Sequence, residues 1–155
     1  MSSMELIKKL RDATGSGMLD CKNALAENQD NLDEAVKWLR EKGILKAQKK
    51  QDRETKEGII SFYFCPTSKD FTVCKISCET DFVAKNEDFL SFAKSITKSI
   101  HDNSESNKIS RGSYEDIKSL AHDSKTIEAT ITDTISKIGE NIQVVSFTSY
   151  KSSEF

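Results

Sequence analysis

Histidine is nearly absent from this chain. There are two in 155 residues, His101 and His122, both among polar neighbours near the ends of predicted helices. Neither has an obvious cysteine or serine partner in sequence, and surface placement is the default for such residues. Cysteine is also scarce: Cys21, Cys65, Cys74 and Cys78 fit neither a zinc ribbon nor a Cys-x-x-Cys redox pair. Cys74 and Cys78 fall on one predicted strand, roughly 13 Å apart, against a disulfide limit of about 7 Å. The four read as buried free thiols of a reducing compartment. The glycines of Thr14-Gly15-Ser16-Gly17 lack the Gly-x-x-x-x-Gly-Lys-Ser/Thr spacing of a phosphate loop and read as a helix–helix turn. The carboxylates are scattered, with no paired acid/base arrangement. Charge of one sign is lacking too. The 23 basic residues against 25 acidic ones leave a net charge of −2, no field for general nucleic-acid binding. No apolar run approaches the ~20 residues that span a bilayer, and the N-terminus shows neither a secretory nor an Arg-rich organelle-targeting pattern. The expectation is a cytoplasmic, non-enzymatic protein without metal or cofactor, and with no direct nucleic-acid or membrane partner. A mitochondrial or plastid matrix location stays open, since a cleaved peptide leaves no trace.

The length suits one ordinary domain or two small ones, and 36% hydrophobic residues suffice for modest cores. Three short helices are expected in residues 1–45. Leu6, Ile7 and Leu10 form the apolar face of the first, which ends near Thr14-Gly15. Gly17-Met18-Leu19-Asp20 opens the second, with Leu19, Ala24 and Leu25 facing inward. Asn31 caps the third with Glu34 three residues on, Leu32, Ala35, Val36 and Leu39 make its stripe, and Gly43 is its stop. Residues 46–57 are charged and almost without apolar side chains, so they read as a solvated linker, coil or helix.

Residues 58–155 read as a second domain. Ile59–Phe64 and Phe71–Cys78 form an antiparallel hairpin around the Cys65-Pro66 turn, with Thr72, Cys74, Ile76 and Cys78 on one face. Asn86 caps a helix with the stripe Phe89, Ala93, Ile96, Ile100. Residues 102–113 read as a loop, and Ser113 with Asp116 caps a short helix through Leu120. Ile127, Ile131, Ile135 and Ile138 mark another helix, ended by Gly139, and Ile142–Phe147 a final strand. The fold class is therefore α+β: a three-helix bundle, then a small antiparallel sheet packed with helices.

The most informative stretch is Thr80-Asp81-Phe82-Val83-Ala84-Lys85-Asn86. It leaves a predicted strand, sets an acid beside an aromatic at the corner, and enters a helix. A large apolar side chain at such a corner marks a contact site more often than core. This stretch resembles a signature of the translation elongation factor Ts family. Two more blocks are similar to that family, in the same order: Leu10-Arg11-Asp12-Ala13-Thr14-Gly15-Ser16-Gly17-Met18-Leu19-Asp20-Cys21-Lys22-Asn23-Ala24-Leu25, and Lys137-Ile138-Gly139-Glu140-Asn141-Ile142.

The resemblance implies an N-terminal three-helix module like a ubiquitin-associated domain before an α+β core, and a guanine-nucleotide exchange factor that binds elongation factor Tu. On it, Asp81, Phe82 and Val83 lie in the core contact, with Phe82 wedged between partner helices. Arg11, Met18 and Leu19 match positions of the N-terminal module that dock on the nucleotide-binding domain. Leu19 stands where Met is common, a change of similar size and polarity. Each has a plainer reading: Met18 and Leu19 as bundle core, Arg11 as a solvated charge, Phe82 folded under its own sheet, and Lys137 and Glu140 as helix-end charges. Only one core half is present, where many members carry two. A natural short form is expected to pair as a homodimer through Ile142–Phe147 or Ile59–Phe64, and a fragment to be monomeric. The rival functions are a ubiquitin-binding module built on Gly17-Met18-Leu19, and a metal or thiol enzyme using Cys65, Cys74, Cys78 and the histidines.

Overall fold

The computed structural model describes residues 2–107 and 109–154. The chain divides into two compact units, Met1–Lys49 and Lys50–Phe155.

In the first unit, α1 (Ser3–Thr14) opens on a capping box: Ser2 Oγ accepts from the Glu5 N–H, and the Glu5 carboxylate accepts from the Ser2 N–H. It ends on Gly15, whose φ of 70° is the left-handed conformation that glycine adopts without strain. α2 (Met18–Glu27) and α3 (Leu32–Lys50) follow, the latter begun by Asn31 Oδ1 accepting from the Glu34 N–H at 3.1 Å. Leu6, Ile7 and Leu10 meet Cys21, Ala24, Leu25, Ala35 and Leu39 in one core.

Three expectations fail here. Leu19 is exposed, and Cys21 takes the inward place, because 21, 24 and 25 share a helix face that 19 does not. Val36 is likewise exposed. Gly43 does not stop α3, which runs to Lys50. A single interior glycine costs only about 1 kcal/mol, and Ile44 to Lys50 offers helix-forming side chains with no proline. The stretch read as a linker is therefore divided. Lys46–Lys50 closes α3, and the remainder is bonded to the second unit: Asn141 Nδ2 donates to the Arg53 carbonyl at 2.8 Å, and Ser77 Oγ to Thr55 Oγ1 at 2.8 Å.

The second unit runs β1 (Glu57–Phe64), β2 (Phe71–Cys78), α4 (Asp81–Ala84), α5 (Glu87–Asn107), β3 (Arg111–Gly112), α6 (Tyr114–Ile117), β4 (Ala121–His122), β5 (Lys125–Thr126), α7 (Ile127–Ile138) and β6 (Ile142–Tyr150). The main sheet has the order β1-β2-β6-β3, antiparallel throughout, and β4 and β5 form a separate small hairpin. Gly58 sits where a Cβ would lie 2.2 Å from the Ile76 carbonyl oxygen, so the close approach of β1 to β2 requires glycine. α5 covers one face, setting Phe89, Ala93, Ile96 and Ile100 over Thr72, Cys74 and Ile76. A register shift at Lys75/Ile76 lets Val144 and Phe147 both point inward although three residues apart, and leaves Val145 exposed. The α+β class holds.

α5 extends through residues expected to be loop. Its polar side chains find partners there: Asn103 Nδ2 donates to the Ala121 carbonyl at 2.9 Å, and Ser104 Oγ to Ser149 Oγ at 3.2 Å. α6 is a single turn ending at Ile117 rather than Leu120. Both histidines pack between α5 and its neighbours and are not surface residues. His101 is 2% exposed, with Nδ1 2.7 Å from Thr72 Oγ1 and its ring against Tyr63. His122 is held between Ser95 and Ser99. All four cysteines are free; Cys65 is only half-buried.

Candidate partner-binding site

The register Cys78↔Ile142 brings the end of β2 beside the turn between α7 and β6. Gly139 makes that turn. Its φ of 88° ends α7, with its N–H on the Ile135 carbonyl at 2.8 Å. Glu140 follows and reaches across to the strand end. Its Oε1 accepts from the Glu79 N–H at 3.2 Å and the Thr80 N–H at 3.0 Å, and its Oε2 from the Thr80 hydroxyl at 2.7 Å. The exchange is reciprocal, since Glu79 Oε1 accepts from the Asn141 N–H at 2.7 Å. Thr80 Oγ1 in turn accepts from the Val83 N–H at 3.3 Å and so caps α4. The Cys78 thiol donates to the Thr80 carbonyl at 3.2 Å. Burial first, then the charges of Glu140, Glu57 and Glu79, push that thiol up to about 11, which keeps it a neutral donor.

The one-turn helix that results is anchored by buried Ala84 and half-buried Val83, and it holds Phe82 out at 82% exposure. Asp81 is exposed beside it, 3.8 Å from Lys85 across solvent, a pairing that contributes little. Phe82 therefore does not fold under its own sheet.

The remaining residues expected to contact a partner lie in the first unit. Arg11 and Met18 line an open groove of about 600 Å³ together with Met4, Ile7, Lys8 and Asp12. Leu19 lies outside that lining and is 69% exposed, and Met18 is 53% exposed, so neither is bundle core. Sequence reasoning missed Glu140, reading it as a helix-end charge. Its only signal was membership of the Lys137–Ile142 block, because its partners lie some 60 residues away in the chain.

Among the described residues, Asp70, His101 and Glu105 bring ligand-type atoms within 4.8 Å of one another. The Lys151 ammonium lies 3.9 Å from Asp70 and 3.6 Å from Glu105, so a cation of the chain itself serves these carboxylates. His122 faces a serine hydroxyl from each ring nitrogen, and Asp123 lies 3.9 Å from the nitrogen that faces Ser95. Among the described residues the ring's hydrogen-bond partners are these two serines. No helix among the described residues is long and apolar enough to cross a membrane.

Fold and site define a two-unit α+β chain that presents an aromatic on a braced corner. Residues 79–155, which include that corner, match the family model described as Elongation factor TS. The chain is similar to Elongation factor Ts of Aquifex aeolicus, at 44% identity over 99% of this chain and 53% of that protein. It is similar to that of Clostridium kluyveri, at 40% identity over 95% of this chain and 47% of that protein. With that of Nitratidesulfovibrio vulgaris the identity is 50%, over 62% of this chain and 48% of that protein. The chain belongs to the elongation factor Ts family. It spans about half the length of the curated relatives it matches.

Proposed function

We propose that this chain binds elongation factor Tu and promotes release of its GDP, as a non-enzymatic exchange factor. The observation that carries the reading is Phe82, an aromatic 82% exposed on a corner that six hydrogen bonds hold in place. Inserted between partner helices, the ring shifts the elements that hold Mg²⁺ and the phosphates. Asp81 and Val83 flank it, and Arg11, Met18 and Leu19 grip the nucleotide-binding domain from the first unit. No bond is made or broken. Linkage requires that nucleotide weaken factor binding by the same ratio in which the factor weakens nucleotide binding. The setting is the cytoplasm, or an organelle matrix after loss of a targeting peptide.

A second core half, supplied by a longer chain or by a second copy, completes this reading. Among the described residues β1 is an unpaired edge, and the sheet face away from α5 carries Ile60, Phe62, Phe64 and Tyr150 at 48–63% exposure. Pairing through Ile142–Phe147 would have to use the β6 edge away from β2, where β3 already takes Phe147 and Thr148. Stopped-flow release of a fluorescent GDP analogue from elongation factor Tu tests the function, with light scattering for the oligomeric state. Acceleration of release by this chain is expected. Release at the intrinsic rate, with capture of ubiquitin instead, overturns it.

A further inference from the structure

We infer that Glu140 is a positioning residue for the exchange surface: its carboxylate sets the direction in which Phe82 points. The inference rests on the exchange-factor reading above. α4 has four residues, too few to persist alone, because nucleating a helix fixes several residues for one hydrogen bond. Its geometry must come from what holds its ends. At the C-terminal end the hold is the burial of Ala84. At the N-terminal end it is Thr80, whose own backbone and hydroxyl are both fixed by Glu140. One carboxylate thus takes two successive backbone N–H groups and the hydroxyl that caps α4. Hydrogen bonds to an ionised acceptor are roughly twice as strong as neutral ones.

The brace is held from behind as well. Asn141 is buried, and its side chain donates to the Arg53 and Gln51 carbonyls at 2.8 and 3.4 Å. Gly139 supplies the left-handed turn that brings Glu140 round. Glu140 itself touches neither Phe82 nor Asp81 among the hydrogen bonds of the corner. Its action on the exposed ring passes through Thr80 and the first turn of α4. Without it the corner samples other conformations, and the partner must order it on binding.

The test uses the whole chain and the variants E140A, E140Q, T80V, F82A and E140A/F82A. Two quantities are measured: acceleration of GDP release from elongation factor Tu, and hydrogen exchange of the amides. E140A is expected to lower acceleration about tenfold. It should also expose the Val83, Ala84 and Lys85 amides while those of β2 stay protected. E140Q retains an acceptor for the two N–H groups and should recover most of the loss. In the F82A background E140A should add less than a twofold further loss, because the two act through one ring. Losses that multiply in the double variant, or E140A accelerating release like the parent, overturn the inference. If E140A fails to fold, T80V decides. It removes the hydroxyl link alone and should lose several-fold, and full activity in T80V overturns the inference. If F82A itself is fully active, the exchange-factor reading of the corner falls first. That outcome is distinct from an active E140A beside an inactive F82A.

Discussion

Replacing Phe82 by alanine is the most direct perturbation, and its size follows from exposure. A phenylalanine buries some ~150–250 Å² when covered. With 82% of the residue open to water in the free chain, nearly all of that area is available to a partner. At about 25 cal/mol per Å² the transfer is worth roughly 3–5 kcal/mol. Imperfect fit and the retained Cβ reduce this to about 2–4 kcal/mol, the range of strong interface anchors. Affinity for elongation factor Tu should fall on the order of 30- to 1,000-fold. Folding stability should move by no more than about 0.5 kcal/mol, since the side chain packs on little of its own chain. Calorimetric titration gives the affinity and a thermal melt the stability. Stopped-flow release at saturating factor then separates grip from wedge. A ring that only grips leaves the maximal release rate unchanged, whereas a ring that displaces partner helices lowers it. A well-folded F82A chain with affinity within twofold of the parent would refute the reasoning.

Removing residues 1–49 should leave the second unit folded, as its sheet and helices are complete without them, and weaken binding about tenfold through loss of Arg11, Met18 and Leu19; equal affinity by calorimetry would make the first unit a bystander. Cys65 should be the first thiol alkylated near pH 8, because hydrogen bonds from the Ser68 hydroxyl and from the Ser68 and Thr67 N–H groups hold it below the ordinary thiol value while burial lifts Cys74 to about 12 and Cys78 to about 11. Peptide mass spectrometry over time checks this, and equal labelling of Cys74 or Cys78 would contradict it. Asp70 is held below the ordinary carboxyl value, first by the Ser152 N–H and then, against the opposing effect of burial, by the Ser68 hydroxyl and the Lys151 ammonium. Its stabilising share is therefore present above the unfolded carboxyl value and lost as pH falls through the folded one. D70N should flatten the acid side of a stability–pH curve below about pH 4, and an unchanged slope would rule the contribution out.

Much of the fold was legible because local periodicity records which face a side chain turns. The alternation of Thr72, Cys74 and Ile76 and the stripe Phe89, Ala93, Ile96, Ile100 describe two surfaces that meet in the core. The cap signals at Asn31, Asn86 and Gly139 placed helix ends correctly, because each satisfies orphan backbone groups by itself. What was not legible depends on distant partners. β3 and the β4–β5 pair are two residues long and carry no period. His101 looked solvent-facing until Thr72 and Tyr63 were placed around it. Gly43 looked like a stop because propensity is a weak prior that the flanking residues overrode. At the corner itself the sequence marked Phe82 but not the residue that aims it.

That omission bears on how folding and binding are joined. An isolated Thr80–Asn86 segment would populate a single helical turn rarely, since the nucleation constant is about 10⁻³. Apparent affinity falls in proportion to the competent fraction. In the folded chain the turn is supplied by two strands and a helix end that meet only when β2 pairs with β6. Pairing places Ile142 opposite Cys78, which sets Glu140 against Glu79 and Thr80, which caps α4, which turns Phe82 outward. The exposed ring is thus the last product of contacts between residues some 60 positions apart in the chain. Damage to the α7–β6 turn should therefore register at the partner surface while the ring itself stays chemically intact.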